Sequence, residues 1–348
     1  MVIPTSLSFA FQTSHNSTIA GQATEMGNSS SIKFTHDKVP SQAGKIACVT
    51  GGNIGLGYAI ANSLARKGAT VIIASRNANK VRKAVEELKK STGNGNIYGE
   101  IVDFNSLASV DTFVSIVSAK FDHIDILINN AGLFVPPYSK TTDGFNVSMG
   151  VNVIGNVYVT NKLLPLVLKS VAPRIITISA LGINMASHPM YAKIVEDNDI
   201  GGEKLTQSDV SMDLYGVTKL IQTLYTNELH HRLAAKGIKH VYISSAHPGL
   251  VETDGLHKSD QNLFFISCFS PIFGLLAIKP DVGALSPLFL ATAPYDQVAP
   301  FQATVLDEGP NIRLLNIKNK DYTVENGRKI YDQLHAAIVA KGYKLNDF

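Results

Sequence analysis

The sequence predicts an α/β protein built on a single doubly wound parallel sheet of about seven strands, with helices on both faces. Three observations lead to this fold class. Six short runs rich in β-branched residues alternate with amphipathic helical stretches, which is the pattern of repeated strand–helix–strand units. Apolar runs of this kind are typical of strands that are covered on both faces. No linker interrupts the series, so residues 44–348 are predicted to form one domain.

The predicted strands follow one another between residues 45 and 245. They read KIACVT, TVIIAS, NIYGEIV, IDILIN, RIITIS and KHVYISS. The stretch KVRKAVEELKK, between the second and third runs, has apolar residues at helical spacing and predicts a crossover helix. FQATVL (301–306) is a candidate seventh strand, and residues 324–341 are predicted to form a closing helix.

The first 43 residues differ in composition from the rest of the chain. They are rich in Ser, Thr, Asn and Gln, and their first lysine or arginine is Lys33. A secretory signal needs a positive segment before a longer apolar run, and a mitochondrial presequence needs arginines, so neither is predicted. Residues 1–43 are expected to form a flexible extension, with Phe9–Phe11 as a candidate docking patch, and its removal should leave the chemistry intact.

Two long segments break the alternation of strands and helices. Residues 181–212 separate the fifth strand from the next helix, and residues 254–280 follow the sixth strand. Long irregular segments in a compact fold are commonly lids or binding loops. The second contains LFFISCFSPIFGLLAI, an uncharged run that Pro271 and Gly274 interrupt. The run is too short for a clear membrane span and favours an apolar lid, although loose membrane contact stays open.

Composition excludes several other classes of protein. The formal net charge is +3, only 17% of the residues are charged, and no Lys/Arg run is present, which argues against a nucleic-acid-binding surface. Cys48 and Cys268 are too far apart in the sequence to indicate a disulfide framework or a metal site, and a reducing, cytoplasmic compartment is the simplest expectation. The histidines show no metal-binding spacing, so no metal is predicted.

A glycine-rich turn follows the first predicted strand directly and opens a helix. It reads CVTGGNIGLG, with Gly51, Gly55 and Gly57 at the spacing TGxxxGxG. Glycines allow a tight turn and the close approach of a pyrophosphate, and the helix N-terminus then supplies free N–H groups. The position after the first strand of a strand–helix–strand unit favours a Rossmann-type dinucleotide site over an ordinary turn.

The end of the second predicted strand discriminates between the two nicotinamide dinucleotides. An NAD site has an acidic residue there for the ribose 2′-hydroxyl, whereas this chain reads IIASRN, with Ser75 and Arg76. An arginine can pair with a 2′-phosphate as a planar fork, and its face can stack on adenine. NADP (NADPH) is therefore the predicted cofactor.

Taken in order, the motifs between roughly residues 44 and 305 resemble those of the short-chain dehydrogenase/reductase family, and most of all its retinol-dehydrogenase-like and fungal reductase members. The matching stretches are TGGNIGLG, IVDFNS, NNAG, MGVNVIGN, YGVTK and HPGLVET. The resemblance implies that the cofactor is bound by residues in these stretches and at the end of the second strand. Those residues are Gly51, Asn53, Gly55, Leu56, Gly57, Ser75, Arg76, Asp103, Asn130, Ala131, Gly132, Tyr215, Lys219, Pro248, Gly249, Val251 and Thr253. The resemblance also implies a homo-oligomer, commonly a dimer.

YGVTK places Tyr215 and Lys219 four positions apart, so both side chains share one face of a helix. A free tyrosine has a pKa of about 10, and a nearby ammonium is expected to lower that pKa by stabilising the phenolate. Tyr215 would then act as general acid in carbonyl reduction or as general base in alcohol oxidation. In the family that the chain resembles, the lysine also holds the nicotinamide ribose, and an asparagine, here Asn152, anchors a proton-relay water.

One residue of the expected site is out of place. In the family the fifth strand ends in two serines, of which the second binds the substrate oxygen, whereas this chain reads RIITISALGIN, with Ser179 first and Ala180 second. Because side chains alternate along a strand, Ser179 would point away from the site unless the backbone shifts. Three interpretations stay open: a bulge presents Ser179, another hydroxyl such as that of Ser187 or a water substitutes, or the enzyme is weakened or inactive.

The predicted function is NADP(H)-dependent interconversion of a carbonyl and an alcohol, with Tyr215 as general acid/base and Lys219, Asn152 and Ser179 as its catalytic partners. The apolar run within residues 254–280 is rich in phenylalanine, which suggests a hydrophobic small molecule as the substrate. The alternative is a non-catalytic or weakened NADP-binding protein, because alanine replaces the expected serine at position 180.

Overall fold

The computed structural model describes residues 32–251 and 277–348 of the chain. The strands in these ranges are β1 (Ile32–Lys33), β2 (Ile46–Thr50), β3 (Thr70–Ser75), β4 (Ile97–Ile101), β5 (Ile126–Asn129), β6 (Arg174–Ile178), β7 (Tyr242–Ala246), β8 (Val305–Leu306) and β9 (Asn311–Ile312). The α-helices are α1 (Gly55–Arg66), α2 (Ala78–Thr92), α3 (Leu107–Lys120), α4 (Gly155–Val167), α5 (His188–Tyr191), α6 (Met212–Ala235), α7 (Pro280–Gly283), α8 (Leu285–Thr292), α9 (Tyr295–Val298) and α10 (Val324–Ala340), with a single turn at Val147–Met149. Shorter 3₁₀ segments lie at His36–Lys38, Leu181–Met185, Gln207–Asp209 and Ala299–Phe301, and π-helical turns at Gly150–Ile154 and Ala192–Glu196.

Seven of these strands form one parallel sheet in the order β4–β3–β2–β5–β6–β7–β8. The predicted fold class is confirmed: the six predicted strands become β2 to β7, FQATVL supplies β8, and the closing helix is α10. The strand order reverses between β2 and β5. At such a reversal the connections leave toward opposite faces of the sheet, and a crevice opens at the carboxyl ends of the strands where ligands bind in Rossmann-type folds.

Alternate residues of the central strands enter two different hydrophobic cores, one on each face of the sheet. In β3, Ile72 and Ala74 belong to one core, whereas Val71 and Ile73 belong to the other, and all four are fully buried. This two-sided burial explains why the strands read as apolar runs without polar alternation. Cys48 in β2 is buried in the same way, which raises the pKa of its thiol to about 12 and makes it an inert core residue.

Residues 32–43 pack on the domain. β1 pairs with β9 in antiparallel register, and the side chains of Phe34 and Val39 are buried. The Phe34 ring makes an edge-to-face contact with Phe289 of α8, with 5.3 Å between the ring centroids. The packed domain therefore starts no later than β1, earlier than the predicted boundary, because two apolar side chains anchor a stretch that is otherwise polar. The Phe9–Phe11 segment lies outside the described residues.

The first irregular segment, residues 181–212, is folded into short helical turns that side-chain hydrogen bonds hold against the rest of the domain. Asn319 Nδ2 donates to the carbonyl oxygens of Ile183 (2.9 Å) and Ala186 (2.8 Å). The predicted lid at residues 254–280 lies almost entirely outside the described residues. Among the helices in the described ranges, none combines the length and the apolar character needed to cross a bilayer.

Candidate active site

The glycine-rich turn connects β2 to α1 at the carboxyl edge of the sheet. Gly51 has a φ of +66°, a left-handed conformation that side chains rarely adopt, and its N–H donates to Ala74 O (2.7 Å). A Cβ at Gly57 would overlap the carbonyl oxygen of Gly51. Ile54 precedes α1 and provides no side-chain cap for the first N–H groups of the helix. The turn therefore leaves N–H donors available at a helix N-terminus, which fits the pyrophosphate of a dinucleotide.

The other residues predicted to form this turn lie where the sequence places them. Asn53 and Leu56 are buried, and Gly55 opens α1. The turn is also locked from the end of β5: Asn130 Nδ2 donates to Thr50 O (2.9 Å), and the Asn130 N–H donates to Thr50 Oγ1 (3.0 Å). A turn held this firmly is preorganised for its ligand.

The ends of β3 and β4 carry the residues predicted to bind the adenosine half of the cofactor. Ser75 ends β3 and is half-buried, and Arg76 follows it and is exposed. Within the described part of the chain, the Arg76 guanidinium has neither a hydrogen bond nor an ion pair. Asp103, just after β4, is half-buried and its Oδ1 accepts from the Asn105 N–H (3.0 Å). A free guanidinium on the same sheet edge as the glycine turn fits a 2′-phosphate.

Asn152 lies in the π-helical turn Gly150–Ile154 that leads into α4. Such turns in a helix frequently mark functional sites. The Asn152 side chain is fully buried: its Oδ1 accepts from the Leu133 N–H (2.7 Å), and its Nδ2 donates to Leu133 O (2.9 Å) and Thr218 Oγ1 (3.3 Å). Asn152 therefore ties the segment after β5 to the helix that carries Tyr215.

Tyr215 lies in the first turn of α6. The helix begins there because Ser211 Oγ accepts from the Leu214 N–H (3.1 Å) as an N-cap. The Tyr215 ring is half-buried and makes an edge-to-face contact with Phe134, with 5.0 Å between the centroids. On its other side, a Cβ at Gly182 would lie 3.4 Å from the ring. The phenol is thus held between the segment after β5 and the segment after β6.

Lys219 follows one turn later on the same helix and is buried. Its Nζ donates to Ile178 O at the end of β6 (2.9 Å) and to Gln222 Oε1 (3.1 Å). Gly132 lies close to both side chains: a Cβ built there would lie 3.2 Å from Asn152 Oδ1 and 3.7 Å from Lys219 Nζ. The structure therefore brings the predicted asparagine, the predicted lysine and the NNAG motif to one point.

The pKa values of the pair differ from the sequence-based prediction. Burial lowers the pKa of Lys219 to about 8, whereas burial raises the pKa of Tyr215 to about 12. The prediction was that the ammonium would lower the pKa of Tyr215. Desolvation of the phenolate by burial is the cause of the raised pKa of Tyr215. At neutral pH the phenol is therefore protonated and the lysine is charged.

Ser179 faces away from Tyr215. Its Oγ shares a hydrogen bond with Thr223 Oγ1 (2.9 Å), and the side chain is buried. Thr223 lies eight residues beyond Tyr215, or about 12 Å along the helix axis at the usual rise. The pairing of β6 with β7 is continuous from Arg174 to Ile178, and the Ser179 N–H donates to Ala246 O (2.9 Å), so no bulge turns Ser179 back toward the site. The predicted catalytic role of Ser179 has no geometric support, because the alternation of side chains along the strand is intact.

Ser187, the other candidate hydroxyl, is also engaged. Its Oγ donates to Asp213 Oδ2 (2.5 Å) and accepts from the Met190 N–H (3.3 Å) as the N-cap of α5. Ser179 and Ser187 were the two candidates for the serine hydroxyl that is missing at position 180. The hydroxyls of both are therefore engaged in structural hydrogen bonds. Ala180 stands half-buried at the position where the serine was expected.

The loop after β7 lies next to this position. The Leu181 N–H donates to His247 Nδ1 (3.2 Å), and burial lowers the pKa of His247 to about 4, which agrees with a structural role for that residue. Pro248 is buried, Gly249 follows it, and Val251 is buried and bridges to the chain that re-enters after residue 276. Thr253, predicted to bind the nicotinamide, lies outside the described residues.

Sequence reasoning missed Gln222 and Thr50. Gln222 accepts from Lys219 Nζ, and Thr50 Oγ1 accepts from the N–H groups of Asn130 and Ala131 (3.0 Å each). A signal for Gln222 was present, because it is a polar residue in the apolar stretch KLIQTL, three positions after the lysine and hence on its helix face.

Comparisons with known proteins identify the family and the fold that the chain resembles. A family model described as short chain dehydrogenase matches residues 45–192. Human retinol dehydrogenase 13 is 33% identical over 262 residues, which cover 73% of this chain and 75% of that protein. Human polyprenol dehydrogenase is 33% identical over 267 residues, covering 75% and 76%. The crystal structure of an uncharacterized protein from Mycobacterium paratuberculosis matches with a TM-score of 0.67 and 25% identity, covering 90% of this chain and 100% of that one.

Proposed function

The chain belongs to the short-chain dehydrogenase family, and from this premise we propose that it is an NADP(H)-dependent enzyme acting on a hydrophobic small molecule. The family establishes an oxidoreductase that interconverts alcohols and carbonyls. The choice of NADP, the role of Tyr215 and the nature of the substrate are the proposal. The observation that carries it is the convergence of Gly132, Asn152 and Lys219, which joins the cofactor motif after β5 to the helix of Tyr215.

The proposed chemistry divides between the cofactor and the chain. The cofactor, when bound, supplies or accepts a hydride. Tyr215, with a pKa of about 12, is protonated at neutral pH and donates its proton to the carbonyl oxygen as negative charge develops there. Lys219 is charged below its pKa of about 8 and stabilises the phenolate that remains. In the reverse direction, alcohol oxidation, the same side chain would act as the proton acceptor.

Exposed apolar side chains beside Tyr215 support a hydrophobic substrate. Phe134, which contacts the Tyr215 ring, is 36% exposed, and Leu181 and Met185 are 52% and 54% exposed. Leu181 and Met185 belong to the same short segment as Gly182, the residue packed on the Tyr215 ring. A cluster of exposed apolar side chains around a reactive group is typical of a site for apolar ligands. The names of the relatives, retinol and polyprenol dehydrogenase, agree with this chemistry.

Replacing Arg76 with alanine is expected to raise the KM for NADPH by about ten- to a hundredfold, because a charge-assisted hydrogen bond pair to the 2′-phosphate is lost. The KM for NADH, which has no such phosphate, should stay close to its wild-type value. Initial rates measured against both cofactors check this. Arg82→Ala is the matched control, since Arg82 is also exposed and lies on the adjacent helix α2. Equal losses with NADPH and NADH would exclude a 2′-phosphate contact at Arg76.

The function itself is tested by NADPH oxidation with the purified full-length chain. Aldehydes and ketones of increasing apolar area form the panel, and short hydroxylated carbonyl compounds serve as the polar control. We expect kcat/KM to rise with apolar area, because Phe134, Leu181 and Met185 remain available to cover the substrate. Turnover of the polar compounds alone would contradict a hydrophobic substrate.

A second candidate function is a weakened enzyme or an NADP-binding protein without turnover. The observation that favours it is the engagement of both serine hydroxyls, Ser179 with Thr223 and Ser187 with Asp213. Loss of one hydrogen bond donor to the reacting oxygen typically costs about 10²–10³-fold in rate, so a weakened enzyme retains measurable turnover. Tight NADPH binding with no turnover across the panel would favour the non-catalytic protein.

A further inference from the structure

A small cavity lies beneath the catalytic helix α6, against β5, β6 and α4. Its volume available to the centre of a water molecule is about 10 Å³. It is lined by Asn129, Asn156, Val157, Thr160, Ile175, Thr177, Gln222, Tyr225, Thr226 and Leu229. A cavity of this size holds one water molecule when it offers two to four polar partners.

Four of the residues that line this cavity each carry a buried polar atom without a hydrogen-bond partner among the described residues. These atoms are Asn129 Oδ1, Asn156 Oδ1, Gln222 Nε2 and Tyr225 Oη, and the four side chains are 4%, 2%, 2% and 3% exposed. Buried polar atoms are nearly always hydrogen-bonded in folded proteins. A group of four on a single cavity therefore points to a ligand that is bound there.

The orientation of each amide follows from its other contacts. Gln222 must present Oε1 to Lys219, because the ammonium only donates, so Nε2 is the amide atom left without a partner among the described residues. Asn156 Nδ2 donates to three carbonyl oxygens, of residues 131, 151 and 152, which leaves Oδ1 for the cavity. The Thr160 hydroxyl donates to the Asn156 carbonyl (2.7 Å), so it accepts from Asn129 Nδ2 (2.7 Å) and the Asn129 Oδ1 is free.

The cavity thus offers two acceptors, Asn129 Oδ1 and Asn156 Oδ1, and two donors, Gln222 Nε2 and Tyr225 Oη. A water molecule donates two hydrogen bonds and accepts two, which matches the two acceptors and two donors of these side chains. A cation would face two donors and an anion would face two carbonyl oxygens. The mixed set selects a neutral molecule, and the volume admits nothing larger than water.

We propose that one water molecule is bound in this cavity and, by holding the Gln222 amide, fixes the ammonium of Lys219. The proposal rests on the proposed function of Lys219 in the reaction. Gln222 Oε1 lies 3.1 Å from Lys219 Nζ, and the water would hold the opposite end of the same amide. Gln222 is then a positioning residue, which acts on the substrate only through Lys219.

The surroundings of Lys219 make this contact important. On α6 itself, Tyr215 lies one turn before Lys219 and Tyr225 lines the cavity together with Gln222, while β6 contributes the carbonyl of Ile178. Asn152 of the π-helical turn contributes a neutral amide. Burial is what lowers the pKa of Lys219, and no charged group of the described residues offsets it. The two oxygen acceptors are therefore what keeps the ammonium charged in a dry site.

The first test compares Gln222→Met with Gln222→Glu. In the wild type, kcat/KM for carbonyl reduction should fall as pH rises through about 8, where Lys219 loses its charge. Loss of the acceptor destabilises the ammonium, so in Gln222→Met the pH at which kcat/KM falls should decrease by about one unit. The carboxylate of Gln222→Glu stabilises the ammonium and should increase that pH by about one unit. A variant that merely loosens the fold would not give opposite shifts. If kcat/KM of both variants falls at the same pH as in the wild type, the positioning role of Gln222 is overturned.

The second readout does not need turnover. Lysine labelled with ¹³C at Cε reports the pKa of Lys219 directly, with the signal assigned through Lys219→Met. The pKa of Lys219 should again decrease in Gln222→Met and increase in Gln222→Glu. If the protein reduces no carbonyl compound, the proposed function is refuted, but this titration still tests the role of Gln222. Identical Lys219 titrations in all three proteins would refute that role.

The water itself is tested with a matched pair of tyrosine variants and an experimental structure. Tyr225→Phe removes the hydroxyl of a residue that lines the cavity. Tyr331→Phe removes a buried hydroxyl that has no partner among the described residues, from a ring that stacks on Tyr225 (5.1 Å between centroids) but does not line the cavity. We expect the Lys219 pKa to fall in Tyr225→Phe and to stay unchanged in Tyr331→Phe. A high-resolution structure should show a solvent peak bonded to Asn129 Oδ1 and Gln222 Nε2. An empty cavity in that structure would overturn the proposal.

Discussion

Replacing Tyr215 with phenylalanine is expected to lower kcat/KM for carbonyl reduction by about 10²–10⁴-fold, because the reaction loses its general acid. The substitution removes a single oxygen and keeps the ring that packs between Phe134 and Gly182. The N-cap of α6 and the bonds of Lys219 are untouched, so the fold and the binding of NADPH should be preserved. Loss of turnover with retained cofactor binding is the specific signature of a missing proton donor.

The measurement combines steady-state reduction of the best substrate of the panel with NADPH titration by intrinsic fluorescence of the cofactor. Tyr98→Phe is the control, since Tyr98 is an exposed tyrosine on the edge strand β4 and loses the same phenolic oxygen. Wild-type rates in Tyr215→Phe would mean that another group protonates the substrate, and the proposed mechanism would be abandoned.

The elements that the sequence predicted well are those specified by residues adjacent in the chain. KVRKAVEELKK lies within α2, which begins where Asn77 Oδ1 accepts from the Lys80 N–H (3.0 Å) and ends at Gly93 with a φ of +70°. The glycine turn was predictable for the same reason, since the strand, the glycines and the helix are consecutive. The order of the motifs along the chain then placed Tyr215 and Lys219 on one helix.

The features that could not be predicted depend on which side chains meet across elements. The spacing of Tyr215 and Lys219 predicts an attraction between phenolate and ammonium, but the burial that raises the pKa of Tyr215 to about 12 belongs to the whole site. Likewise, the cavity partners come from β5, α4 and α6, which are far apart in sequence. The stretch RIITISA (174–180) predicts that Ser179 and Ala180 point to opposite sides. That Ser179 bonds to Thr223 depends on the packing of α6 on β6.

Ala180 is the residue whose replacement should increase activity. Its backbone is extended (φ −154°, ψ 154°), so the alternation of side chains continues beyond the end of β6. Ser179 points to Thr223, and the side chain of Ala180 therefore points to the opposite side of the strand. A Cβ built on Gly182, two residues further on, would lie 3.4 Å from the Tyr215 ring, so position 180 is near the proposed reacting centre.

Ala180→Ser is accordingly expected to raise kcat/KM by about 10²-fold, since it restores a hydroxyl donor to the oxygen that becomes negatively charged in the transition state. Ser179→Ala is the matched control: it should lower the free energy of unfolding by about 1 kcal/mol through loss of the bond to Thr223 and leave kcat/KM nearly unchanged. Steady-state kinetics and urea unfolding of both variants measure these effects. The opposite pattern, loss of turnover in Ser179→Ala with no gain in Ala180→Ser, would identify Ser179 as the catalytic hydroxyl and require β6 to rearrange when the ligands bind.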